Sequence, residues 1–115
     1  MEIKGETKLL RIFISNTDNF RHTPLYETIV YAAKRYGLAG ATVLKGTMGF
    51  GSSNIVRSAK FWELTEKLPL VIEIIDEADK IEKFTEIILP WFDKLRNGCM
   101  ITVEKAEIIK YTRGS

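Results

Sequence analysis

Thiols and imidazoles are nearly missing from this chain of 115 residues, which holds one cysteine, Cys99, and one histidine, His22. A single thiol excludes an internal disulfide, and no Cys/His spacing of a structural zinc or iron–sulfur site is present. An excess of either charge is missing too. The 17 basic and 15 acidic residues leave a net charge of +2, too balanced to imply nucleic acid or an anionic membrane as a partner. Long apolar runs are also lacking. The opening "MEIKGETKLLRIFIS" carries charges up to Lys8, and its apolar part is short and interrupted by Arg11. That is the pattern neither of a signal peptide nor of a membrane span, so a cytoplasmic location is the expectation. No linker, repeat or low-complexity tract divides the sequence. What remains is 45% hydrophobic and 28% charged, the balance of one globular domain over residues 1–115, with 1–7 as an amino-terminal extension.

The patterning predicts the order β-α-β-β-α-β. "KLLRIFIS", 8–15, is rich in branched and aromatic residues and reads as a strand. After the polar loop "NTDNFRH", Thr23 and Pro24 look like an N-cap followed by proline at the first helical position. Leu25, Ile29, Ala32, Ala33 and Tyr36 then recur at helical spacing, and Gly37 stops the helix. "ATVLKGTMGF" is a second strand, and 55–66 reads as a short helix or an arm. "PLVIEIIDE", 69–77, is the third strand. A second helix runs from Ala78 to Arg96, with a kink or break expected between Glu86 and Leu89 because of Pro90. "CMITVEKAEIIKY" is the last strand, with a bend near Lys105 and Ala106. This order predicts an α+β, ferredoxin-like sandwich: an antiparallel four-stranded sheet with two helices on one face.

A sheet face bare to water shows polar alternation. These strands break that rule. Leu9 and Leu10 are both apolar, as are Phe13 and Ile14, and Val71 and Ile75 share the side of Glu73 opposite Leu70, Ile72 and Ile74. The second face therefore calls for a cover, and no chain is left over to provide it, which points to another subunit. Glu73, set in an apolar strand, is expected to pair with a strand cation such as Arg11.

"KGTMGFGSSNIVR", 45–57, is the densest candidate for chemistry. Glycines let the backbone turn its N–H groups toward an anion, and Lys45, Arg57 and Lys60 supply charge. The stretch is neither a Walker loop nor a dinucleotide fingerprint, since spacing and context differ. A bulge or hairpin bend fits the same glycines. His22 reads as a solvated loop residue. Asp76, Glu77 and Asp79 complement a helix dipole more simply than they hold a metal. Phe61 and Trp62 pack their loop or grip a partner, and Cys99 acts as a small apolar residue. RNA recognition is disfavoured, since the third strand carries no aromatic residue to stack a base. No nucleophile–base pair stands out, so the chain does not read as an enzyme.

"PLYETIVYAAKRYGLAGATVLKGTMGFG", 24–51, resembles a family of small bacterial and archaeal proteins related to the P-II, nitrogen regulatory, signalling proteins. The matching elements are Pro24 to Glu27, Gly37 to Val43, Lys45-Gly46 and Gly49 to Gly51. The resemblance implies a ferredoxin-like homotrimer, an adenine nucleotide (ATP, ADP or AMP) at the clefts between subunits, and a long loop, 47–66, that contacts a regulated enzyme or transporter. On that basis the ligand site is expected at Lys45, Gly46, Gly49, Phe50, Gly51, Ser52 and Arg57, with no metal, no nucleic acid and no membrane insertion. Two departures stand out. "RNGCM" replaces the "GDGK"-type phosphate loop, and the 47–66 loop has no tyrosine for uridylylation. Two alternatives stay open: an acylphosphatase-like hydrolase using Arg21 in "NTDNFRHTP", and a structural trimer without ligand.

Overall fold

The computed structural model describes residues 3, 5–52, 54–58 and 67–114. Lys60, Phe61 and Trp62 of the expected loop lie outside the described residues.

Two long strands dominate. Thr7–Ser15 forms β1 and Pro69–Glu77 forms β3. They pair antiparallel over their whole length, from Thr7 opposite Glu77 to Ser15 opposite Pro69. Thr42–Lys45, β2, lines up along the outer side of β3, and Met100–Lys105, β4, along the outer side of β1. The strand order is therefore β2-β3-β1-β4, the antiparallel ferredoxin-like arrangement expected from the sequence.

Period-two alternation sends Leu10, Ile12 and Ile14 of β1 and Leu70, Ile72 and Ile74 of β3 to one side, where all six are buried. Helix α1, Leu25–Arg35, buries Leu25, Ile29, Ala32 and Ala33 on that side. Helix α2, Ala78–Ile88, adds Ile81, Phe84 and Ile88. Gly37 ends α1 with φ of 76°, a left-handed angle that suits glycine.

Local chemistry moves several boundaries. Thr23 is not the helix cap. It belongs with Pro24 to a two-residue ladder against Asn19–Phe20, and Pro24 itself takes the N-cap position. Pro90 stops the regular part of the second helix at Ile88, after which Leu89–Phe92 tighten into a 3-10 turn. The second predicted strand splits at Gly46, leaving Met48–Gly49 to pair with Arg57–Ser58. The last strand ends at Lys105, short of the predicted Tyr111.

Asp76 does more than complement a dipole. Its side chain is fully buried, and its carboxylate accepts from the backbone N–H of Ala39 at 2.9 Å and of Glu77 at 2.6 Å. It fastens the turn after α1 to the end of β3. At the opposite end of β3, Gly46 N–H donates to Pro69 O at 2.7 Å. A Cβ built on Gly46 would stand 2.7 Å from Pro69 Cγ, and one on Gly49 3.3 Å. These two glycines let the chain cross Pro69. Gly51 meets nothing within 4 Å.

Two outcomes follow for stability. Asp76→Ala removes the buried carboxylate that accepts from two backbone N–H groups and should lower unfolding free energy by about 2 kcal/mol in urea titration. Gly46→Ala should lose about 1–3 kcal/mol through overpacking, whereas Gly51→Ala should melt with the parent protein in a thermal scan.

Candidate functional site

The sheet face opposite the helices carries ordered rows across its strands. One row runs Leu44, Val71, Phe13, Met100, and the next runs Thr42, Glu73, Arg11, Thr102. Leu44, Phe13, Met100 and Ile75 are exposed in the single chain. The second face is thus as apolar as the patterning predicts, with one charged crossing at its centre. There Arg11 Nε donates to Glu73 Oε2 at 2.8 Å, the pairing expected from the sequence, and Arg11 also pairs with Glu104. The hydrogen bond to Glu73 is the main reason that the guanidinium holds its proton more firmly than usual.

The apolar row ends in a cavity of about 430 Å³. Phe13 and Met100 reach it from the open sheet face, Pro69 and Leu70 from the start of β3, and Asn97, Gly98 and Cys99 from the turn before β4. The fourth wall is the glycine-rich segment. Five of the seven expected ligand residues, Gly49, Phe50, Gly51, Ser52 and Arg57, line this space. Lys45 and Gly46 do not. Lys45 is exposed on β2, and Gly46 is committed to Pro69.

The pairing of Gly49 with Arg57 explains the convergence. It sets Met48–Gly49 against Arg57–Ser58, with Asn54 N–H donating to Gly51 O at 2.8 Å, and brings Arg57 back beside the glycines from which it is separated in sequence. The stretch is therefore a hairpin that also walls a cavity. Ser52 Oγ donates to the carbonyl of Asn97 at 3.5 Å. Gly98, with φ of 72°, faces Ser52 so closely that any Cβ there would collide with the hydroxyl.

Asp18 holds the neighbouring wall. Its buried carboxylate accepts from Ser15 N–H at 2.8 Å and from Asn97 Nδ2 at 3.1 Å. The turn after β1 and the turn before β4 are joined through this one side chain. Burial first, and the Asp18 charge second, push the Cys99 thiol up, which leaves it a poor nucleophile. Arg57 and Lys67 bring positive charge, and no carboxylate lines the cavity among the described residues. The lining thus combines these two cations with the apolar side chains of Phe13, Phe50, Ile55 and Met100.

Sequence reasoning missed Asn97, Gly98, Lys67 and Asp18. Asn97-Gly98 carries a helix-stop signal and nothing local marks it as a site. His22 lies exposed in the Asn19–Pro24 hairpin, and neither it nor Arg21 lines this cavity. No cluster of metal-ligating side chains occurs among the described residues, and none of their helices is long and apolar enough to cross a membrane.

Comparison with known proteins gives this geometry its setting. A family profile, DUF190, described as "Uncharacterized ACR, COG1993", matches residues 7–108. A UPF0166 protein of Aquifex aeolicus is 41% identical over 102 residues, covering 89% of this chain and 92% of the relative. The UPF0166 protein MJ1524 of Methanocaldococcus jannaschii is 29% identical over 106 residues, covering 91% and 94%. Among solved structures, CPII, a nitrogen regulatory PII-like protein from Thiomonas intermedia bound to ADP, AMP and bicarbonate, superposes with a TM-score of 0.68 at 17% identity, over 95% of this chain and 94% of that one. A putative PII-like signalling protein from Thermus thermophilus gives 0.63 at 20% identity over 88% and 87%. At these identities the structural likeness establishes the fold, and the match over 7–108 establishes the kinship: the chain belongs to the DUF190 family and has the PII-like, ferredoxin-type fold.

Proposed function

We propose that this protein is a PII-like regulator that binds a small anionic ligand, an adenine nucleotide in the first instance, in the cavity between the glycine hairpin and the 97–99 turn. The observation that carries the reading is the convergence of Gly49–Ser52, Arg57 and Lys67 around one space of about 430 Å³. Backbone N–H groups and two cations suit phosphates, and Phe50 and Ile55 suit a base. The ADP- and AMP-bound state of the similarly folded CPII supports the choice of ligand.

Phe13 and Met100 belong both to this cavity and to the exposed apolar sheet face. A second copy packed on that face closes the open side, so assembly and binding share residues. A homotrimer covers the face symmetrically and places one cavity at each contact. Ligand seated against 49–52 then changes the fit of this hairpin to a regulated enzyme or transporter, a ligand-set switch in a cytoplasmic, non-catalytic protein. A charged crossing, Arg11 with Glu73 and Glu104, sits at the centre of the same face and fixes the register of the packing.

Isothermal titration should show saturable binding of ATP, ADP or AMP, weakened about tenfold or more by Arg57→Ala through loss of one charge-assisted contact. No heat with any of the three at millimolar concentration rejects the nucleotide. Sedimentation should report a trimer, and Leu44→Asp with Met100→Asp should yield folded monomers. A wild-type protein that stays monomeric removes the walls on which the site depends.

A further inference from the structure

The helix side of the molecule holds a second cleft that the proposed nucleotide site does not use. It has a volume of about 520 Å³ and lies between the Asn19–Pro24 hairpin, α1 and the 3-10 turn. Its apolar wall is an aromatic pair: Phe20 and Trp91 stack with ring centroids 5.4 Å apart. The Arg21 guanidinium lies over the Phe20 ring at 5.1 Å from the centroid. Arg35 and the exposed Tyr31 come from α1. Neither guanidinium has a carboxylate in ion-pair reach among the described residues.

The hairpin that presents Arg21 is strained. Arg21 and His22 occupy its two turn positions with φ of 50° and 67°. Left-handed angles at both central residues define a turn that favours asparagine and glycine, and side chains such as arginine and histidine resist it. Strain of this kind persists where the surroundings impose it and often accompanies a task for the side chain. Asp18 supplies the imposing frame. Its carbonyl accepts from Leu25 N–H at 2.8 Å, while its carboxylate fixes Ser15 and Asn97. The chain thus holds Arg21 over Phe20 in a turn that asparagine and glycine would close more comfortably.

From this arrangement we infer that the cleft is a docking site for an acidic peptide segment of a protein partner. Tryptophan, tyrosine and arginine are the side chains enriched at the energetic centres of protein interfaces, and here they meet on one surface. The two guanidiniums give the charge complement for carboxylates, which they grip bidentately. Glu27 lines the same cleft. It repels the evenly spaced phosphates of a nucleic acid or an anionic bilayer, whereas a peptide places its carboxylates singly and lays an apolar side chain on the Phe20–Trp91 ledge. The site shares no lining residue with the nucleotide cavity, so it stands or falls separately.

The probe is a fluorescein-labelled Glu-Leu-Glu-Leu-Glu-Leu hexapeptide, titrated with the full chain and read by anisotropy, beside a Lys-Leu-Lys-Leu-Lys-Leu control. Saturable binding of the acidic peptide alone is expected. Arg21→Gln and Arg35→Gln should each weaken it about tenfold, and Arg57→Ala should leave it unchanged. The double change Arg21→Asn with His22→Gly should raise the melting temperature while weakening the peptide, which separates docking from folding. The inference is overturned if the acidic peptide fails to bind below about 1 mM, if it binds Arg21→Gln and Arg35→Gln as tightly as the parent, if Arg57→Ala abolishes it, or if anionic vesicles or duplex DNA bind more tightly through the same arginines.

Discussion

The antiparallel register between β1 and β3 is the constraint from which the rest of the structure follows. Nine residues on each strand face one another without a bulge. Because side chains alternate, that register assigns Leu10, Ile12 and Ile14 to the helices together with Leu70, Ile72 and Ile74. A slip of one residue would send Arg11 and Glu73 into the core and the leucines and isoleucines out. The Arg11–Glu73 bond on the far face reinforces the same alignment, since the two are direct cross-strand partners.

The register also decides where the loops meet. Ser15 lies opposite Pro69, so the chain leaving β1, the chain entering β3 and the turn before β4 all gather at one end of the sheet. Asn16 clasps that end through a pair of bonds with Leu68, its N–H donating to the Leu68 carbonyl at 3.0 Å and its Oδ1 accepting from Leu68 N–H at 2.9 Å. Asp18 links it to Asn97, and Gly46 crosses Pro69. The cavity is the space these crossings leave. Tight approaches at Gly46, Gly49 and Gly98 shape this end, and these account for the three glycines better than flexibility does.

Two surfaces with different chemistry result. The open sheet face is apolar with a charged crossing at its middle, suited to burial against copies of itself. The helix side offers arginine and aromatic groups around a shallow cleft, suited to a partner that brings charge. A single layer of helices on a single sheet makes this division unavoidable, because each strand has only two sides and the core consumes one of them.

Composition and periodicity were enough to determine the element order, the ferredoxin-like architecture and the two-faced apolar patterning, because each rests on spacing within a strand or helix; that Glu73 needs a strand cation was legible too, while the register between β1 and β3 made Arg11 that partner. The family block at 24–51 is equally a property of the string of residues. The helix boundaries were less legible. Thr23 has the chemistry of a cap, yet the Asn19–Pro24 ladder claimed it, and a local propensity of about 1 kcal/mol yields to tertiary hydrogen bonding. Likewise 107–111 has strand-like residues, but past Ala106, whose N–H donates to the Thr7 carbonyl at 3.1 Å, β1 offers no further residue to pair with. Only the folded chain decided that Gly46 serves Pro69 while Gly51 faces open space, that Lys45 stands outside the cavity, and that Asn97 and Lys67 border it with Asp18 holding Asn97. Those are distances between residues far apart in sequence, and no local pattern encodes them.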